Sequence, residues 1–142
     1  MGPVEILKWQ HNQIEKMIKE FEPESKDFKK GELTPEYGSL MQRVNEHFAL
    51  EEGPMLEMLS TLVDIEERTI NFITEDHEKI KKLMEKLKGD GDIHNFSRKI
   101  MSHMKKEEET VYFMVDNFLT EEQLGLLMEK MELKNDFLPI VD

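Results

Sequence analysis

The chain is 142 residues long and 38% hydrophobic, with 31 acidic against 19 basic residues and a formal net charge of −12. That is enough apolar material for one folded domain, expected over residues 1–142, and the acidic balance excludes a general nucleic-acid binder or a protein held on an anionic membrane by charge. Cysteine is absent, which excludes disulfides, thiolate catalysis and thiolate metal sites. No apolar run approaches a membrane span. The opening MGPVEILKWQH lacks the basic region and apolar core of a signal peptide, and Ile6 breaks the myristoylation pattern, so a cytoplasmic location is expected.

Val4, Leu7, Ile14, Ile18 and Phe21 recur at helical spacing and predict a first helix from Pro3 or Val4 to about Phe21, with His11 inside the stripe and Pro23 as a stop. A polar connector follows over 23–33. Thr34-Pro35 reads as an N-cap with a first-turn proline. The second helix then turns Leu40, Val44, His47, Glu51, Met55 and Met58 or Leu59 inward. Within it, Pro54 deprives the Leu50 carbonyl of an amide partner, which predicts a kink or local re-bonding before an end near Leu62. Asp64 is a candidate cap for a third helix over 65–87, whose stripe is Ile70, Ile73, His77, Ile80, Met84 and Leu87. Gly89-Asp90-Gly91-Asp92 makes a loop. Asp92 caps a fourth helix running to about Phe118, with Phe96, Ile100, His103, Glu107, Val111 and Met114 inward. A short helix over 121–132 follows a Thr120 cap, and the tail from Asn135 is expected to be extended. Four apolar stripes predict an all-α, antiparallel up-down-up-down four-helix bundle with a short additional C-terminal helix.

Four of the five histidines, His11, His47, His77 and His103, fall one per long helix where the stripe calls for an apolar side chain; His94 falls off the pattern and is expected at the surface. One inward histidine is commonly a core residue with both nitrogens satisfied. Four of them need a buried polar network, and a metal pair supplies one directly. Glu51 and Glu107 follow His47 and His103 by four residues, a turn of about 400°, so each carboxylate leaves the same face as its histidine. The segments HFALEE and HMKKEE echo one another in this spacing. Imidazole and carboxylate donors suit iron, manganese or zinc, and spacing does not choose among them. Glu108, five residues after His103, is rotated about 140° away in a regular helix. Lys105, Lys106 and Glu109 are expected in solvent.

His11, the run from His47 to Glu51, Asp76-His77, and the run from His103 to Glu107 followed by Val111-Tyr112 together resemble the hemerythrin-like, HHE cation-binding family over nearly the whole chain. The resemblance implies an antiparallel four-helix bundle around two iron ions joined by an oxo or hydroxo group and two carboxylates. It assigns His11 and His47 to one iron, His77 and His103 to the other, and bridging roles to Glu51 and Glu107. Oxygen-carrying hemerythrins have two histidines spaced by four in the third helix; here Ile73 and Lys81 flank His77 at that spacing. They also usually use an aspartate where this chain has Glu108. The set looks closer to the four-histidine, two-glutamate di-iron branch, which includes iron–sulfur-cluster repair proteins and iron- or oxygen-responsive sensor domains. The usual cysteine-containing region of the repair proteins has no counterpart here, which argues against carrying over that activity.

The function expected is therefore a non-haem di-iron protein that binds or reacts with dioxygen or nitric oxide, with catalytic turnover left open. The alternatives are an iron- or oxygen-responsive module read by a protein partner, iron sequestration, and a metal-free structural bundle. No nucleic-acid or membrane partner is expected. Ile14, Ile73, Ile80 and Ile100 would limit water at the site. Trp9 and Tyr112 are candidate pocket groups, with ordinary core packing the plainer reading, and Asp76 either orients a neighbouring histidine or lies at the surface.

Overall fold

A computed structural model describes residues 1–25, 35–62, 65–87 and 93–139. Its elements are α1 (Pro3–Ser25), α2 (Pro35–Leu50), a π-helical turn (Glu51–Met55), α3 (Leu56–Leu62), α4 (Glu67–Lys86), α5 (Ile93–Glu109), α6 (Val111–Phe118) and α7 (Glu121–Lys134). Counting α2 to α3 and α5 to α6 as interrupted rods, this is an all-α antiparallel bundle of four main helices with a shorter C-terminal helix. α1 packs on α2 and α5, and α4 on α5. Between α2 and α4, Phe48 stacks on His77 with ring centroids 3.7 Å apart. No described helix is long and apolar enough to cross a membrane.

Two apolar clusters fill the bundle. One gathers Leu7, Leu50, Met55, Leu59, Ile73, Val111 and Val115, with Leu127 and Met131 of α7 packed onto it. The other gathers Ile14, Ile18, Leu40, Val44, Ile80, Met84, Phe96 and Ile100. Each such side chain taken fully from water contributes about 1.5–3 kcal/mol. His11 lies between Leu7 and Ile14 along α1, and His77 between Ile73 and Ile80 along α4, so the histidines form a polar layer where the two clusters meet.

Several boundaries differ from the sequence reading. α1 passes Pro23 and ends at Ser25. Pro23 falls in the last turn, where its missing amide removes one backbone bond without stopping the residues after it. The re-bonding expected at Pro54 takes the form of the π turn, in which the Leu56 amide donates to the Glu51 carbonyl five residues back. The fourth rod is not one helix to Phe118, because it breaks at Thr110, with φ −116° and ψ −85°. There the Thr110 hydroxyl donates to the Lys106 carbonyl at 2.7 Å, and the Thr110 amide donates to the Glu107 carbonyl at 3.2 Å. A threonine bonded back in this way bends a helix. Beyond the break Val115, rather than Met114, is fully buried. α7 extends to Lys134 and begins with a reciprocal capping box between Thr120 and Gln123. The expected caps at Thr34, Asp64 and Asp92, most of the 23–33 connector, and the 89–92 loop lie outside the described residues. The described tail, 135–139, is non-helical.

Candidate metal centre

Among the described residues, the buried polar and charged side chains are Gln10, His11, His47, Glu51, His77, His103 and Glu107. All seven belong to one cluster. Its ligating atoms form two groups, one of His11, His47, Glu51 and Glu107, the other of Glu51, His77, His103 and Glu107, with the atoms of each group within 4.8 Å of one another. All six residues singled out by periodicity are thus brought together, and the two glutamates are common to both groups. His94 is exposed.

The inward atoms are the four Nε2 nitrogens and the two carboxylates. His11 Nε2 lies 3.0 Å from His47 Nε2 and 3.3 Å from Glu107 Oε1. Glu51 Oε1 lies 3.3 Å from His47 Nε2 and 3.1 Å from His77 Nε2. Glu107 Oε2 lies 3.1 Å from His103 Nε2 and 3.6 Å from His77 Nε2. The two oxygens of Glu107 therefore face different histidine pairs.

The outward Nδ1 nitrogens are held by an outer set of polar side chains. His11 Nδ1 meets Glu108 Oε2 at 3.2 Å, His47 Nδ1 meets Gln10 Oε1 at 2.7 Å, His77 Nδ1 meets Glu52 Oε1 at 3.1 Å, and His103 Nδ1 meets Asp76 Oδ2 at 3.1 Å. An ionised carboxylate only accepts, so Nδ1 carries the proton in the three acid-held histidines. Gln10 uses its amide nitrogen to donate to the Phe137 carbonyl, which turns its oxygen toward His47 with the same result. Wherever the imidazole is neutral, its Nε2 lone pair is then aimed inward, the tautomer a metal needs. These four contacts join α1 to α2, the π turn to α4, α4 to α5 and α5 to α1 in turn and close into a ring around the bundle.

Burial and charge oppose one another here. Burial pulls the His11 imidazole down, but Glu107 and Glu108 outweigh it and raise it to about 9. Burial likewise disfavours charge on His77, yet Glu107, Glu51 and Glu52 raise it to about 11. At His47 burial prevails over Glu51 and lowers the value. Burial would raise Glu51, but His47 and His77 hold it well below the usual carboxylate range. The His77 hydrogen bond holds Glu52 down, and the His11 hydrogen bond does the same for Glu108.

Whether this donor set fits metal is decided by its unsatisfied atoms. Glu51 Oε1, His77 Nε2, His103 Nε2 and both carboxylate oxygens of Glu107 are buried without a hydrogen-bond partner among the described residues. The ion-pair distances just given are short, but they lack hydrogen-bond geometry. Buried polar atoms are rarely left so, because each costs about 1–3 kcal/mol. Here five converge in one layer, all of them lone-pair donors in the state that binds a cation. A profile of the hemerythrin HHE cation-binding domain matches residues 2–115.

The chain belongs to the hemerythrin HHE cation-binding family.

Comparisons with curated proteins and with solved structures return no match. Relative to oxygen-carrying hemerythrins, this member has Ile73 and Lys81 at four residues from His77, and neither joins the donor cluster. Glu108, at the spacing of their aspartate, points away from the cluster as a regular helix dictates and holds His11 from outside. Sequence reasoning missed Gln10 and Glu52 altogether and gave Glu108 no role. The signal was present in register. Gln10 and Asp76 immediately precede the lone histidines of α1 and α4, and Glu52 and Glu108 immediately follow the two inward glutamates. One helical step of about 100° carries a side chain from the inward face to the seam with a neighbouring helix. Trp9 packs on Phe137 with centroids 5.5 Å apart rather than at the cluster. Lys105, Lys106 and Glu109 are exposed.

Proposed function

We propose that this hemerythrin-family protein holds a non-haem di-iron centre that binds or reacts with dioxygen or nitric oxide. His11 and His47 would hold one iron, His77 and His103 the other, and Glu51 and Glu107 would bridge them, with an oxo or hydroxo group completing the bridge as the family resemblance implies. The observation that carries the reading is the set of five buried, unpartnered donor atoms shared between two overlapping ligand groups. Nitrogen and oxygen donors without sulfur favour iron, manganese or zinc over softer metals. When bound, an iron pair supplies Lewis acidity and one-electron exchange.

The chain's own contribution is positional. Gln10, Glu52, Asp76 and Glu108 fix the imidazole tautomers and ring directions from outside. Ile14, Ile73, Ile80 and Ile100 are fully buried and exclude water from both ends of the layer. A low-dielectric surround strengthens every charge interaction inside it.

A sensory reading has one specific observation in its favour. Gln10, which holds His47, also donates to the carbonyl of Phe137 in the C-terminal tail. The tail is further held by Asn135 donating to the Glu46 carbonyl at 3.0 Å and by Arg43 over the Phe137 ring. A change at His47 thus has a direct route, through Gln10, to the C-terminal tail.

Anaerobic reconstitution with ferrous iron tests the centre. Two irons per chain are expected, and His47→Ala together with Glu107→Gln should abolish them. A folded wild-type protein that takes up no metal would sink the proposal. The reduced, loaded protein should change its optical spectrum with dioxygen or nitric oxide; silence toward both would refute the gas-binding reading and leave the sensory and sequestration readings.

A further inference from the structure

The donor cluster has an internal two-fold pattern that one residue breaks. Gln10, His11, His47, Glu51 and Glu52 correspond in role to Asp76, His77, His103, Glu107 and Glu108. Five residues after Glu107 stands Tyr112; five residues after Glu51 stands Leu56. Both side chains are buried, but only the tyrosine brings an oxygen.

In an unbroken helix, a residue five positions beyond Glu107 would lie about 140° off the inward face. The break at Thr110 returns Tyr112 to the cluster. Its hydroxyl lies 2.9 Å from His11 Nε2 and donates to Glu51 Oε2 at 2.6 Å. These partners are two of the donors of the His11/His47 group, reached on their inward atoms. The spacing is that of a further donor. Around a six-coordinate ion with bonds of about 2.1 Å, adjacent ligand atoms sit about 3 Å apart. The two imidazole nitrogens of this group are 3.0 Å apart, His11 Nε2 and Glu107 Oε1 are 3.3 Å apart, and the tyrosine oxygen sits within the same range of His11 Nε2, at 2.9 Å, and closer still to Glu51 Oε2, at 2.6 Å.

Resting on the di-iron reading above, we propose that Tyr112 is itself a ligand, a phenolate on the iron held by His11 and His47. Forming the iron–oxygen bond replaces the O–H bond, and the proton leaves to buffer. The two irons are then unequal. One has His11, His47, Glu51, Glu107 and Tyr112; the other has His77, His103 and the same two glutamates, and keeps the more open position. A diatomic ligand is therefore directed to the His77/His103 end.

The test is spectroscopic and needs no turnover. The iron-loaded, oxidised wild-type protein should show a phenolate-to-ferric charge-transfer band in the visible. Resonance Raman excitation into that band should enhance tyrosine ring modes that shift when ring-deuterated tyrosine is incorporated. The chain has only two tyrosines. Tyr37 donates to the Met84 carbonyl at 2.8 Å, within the other apolar cluster, so Tyr37→Phe should leave the band intact. Tyr112→Phe should lose the band entirely while keeping two irons. Nitric oxide titrated into the reduced protein should be taken up once per iron pair in the wild type and twice in Tyr112→Phe. Two irons in the wild type with no tyrosine-enhanced modes would overturn the ligand role while leaving the centre standing. No iron uptake at all would overturn the centre and the ligand together.

Discussion

Removing the acid behind a histidine should weaken metal binding in proportion to how well that acid is shielded from water. Asp76 and Glu108 make the sharpest comparison. The Asp76 side chain is 13% exposed and holds His103, while that of Glu108 is 38% exposed and holds His11. Loss of such an outer partner typically lowers metal affinity about 10- to 100-fold. Glu108→Ala should fall at the low end, about 10-fold or about 1.4 kcal/mol, because solvent already screens that carboxylate. Asp76→Ala should fall at the high end, about 100-fold or about 2.7 kcal/mol. Asp76 also accepts from Lys99 Nζ at 2.9 Å, so its removal leaves an uncompensated ammonium facing a dication. Lys99→Ala in the Asp76→Ala background should therefore recover part of the loss. The assay is anaerobic competition for ferrous iron against a chelator of known affinity, with thermal melts showing that each variant is folded. Equal effects, a reversed order, or no recovery on removing Lys99 would refute the electrostatic reasoning.

Four further outcomes are expected. In the metal-free protein the folded values of His11, about 9, and His77, about 11, both lie above the ordinary 6.5. The stability they contribute is full below about pH 6.5 and is lost as pH rises through those values, so the metal-free melting temperature should fall between about pH 6.5 and 9, and a flat profile would contradict it. Because both imidazoles are cationic near neutrality in that state, metal uptake should release protons, read by calorimetry in buffers of different ionisation enthalpy. Ile80, fully buried beside His77, should cost about 2–5 kcal/mol on change to Ala by urea denaturation. Thr120→Ala removes the capping box of α7 and should cost about 1 kcal/mol by the same measurement without changing metal content, since α7 contributes no donor.

The six inward donors were legible because helical periodicity is strong in these rods and histidine contrasts with the isoleucines around it. Pro54 likewise announced a local defect, and the π turn is the form it takes. The Thr110 break was not legible. It contains no glycine or proline, and it arises from a hydroxyl taking a carbonyl that an amide would otherwise hold. Tyr112 was consequently only a candidate pocket group, with packing the plainer reading, since only the break aims it at the cluster. Three of the outer partners escaped for a different reason. Gln10, Glu52 and Glu108 each belong to one rod while serving a histidine on another, and a single helix's periodicity carries no information about what faces its seams; only Asp76 was legible as a candidate for orienting a histidine.

The closed ring of contacts through Gln10–His47, Glu52–His77, Asp76–His103 and Glu108–His11 has a mechanical consequence. Each contact spans a different helix–helix seam, so together they act as a hoop at the height of the polar layer. A hoop resists the widening of any one seam through all the others. Breathing of the bundle at that level must be concerted, and backbone amides beside the layer should exchange with solvent only in openings that involve all four rods. Cutting one link turns the hoop into an open chain, and the exchange protection that disappears should extend to seams far from the cut.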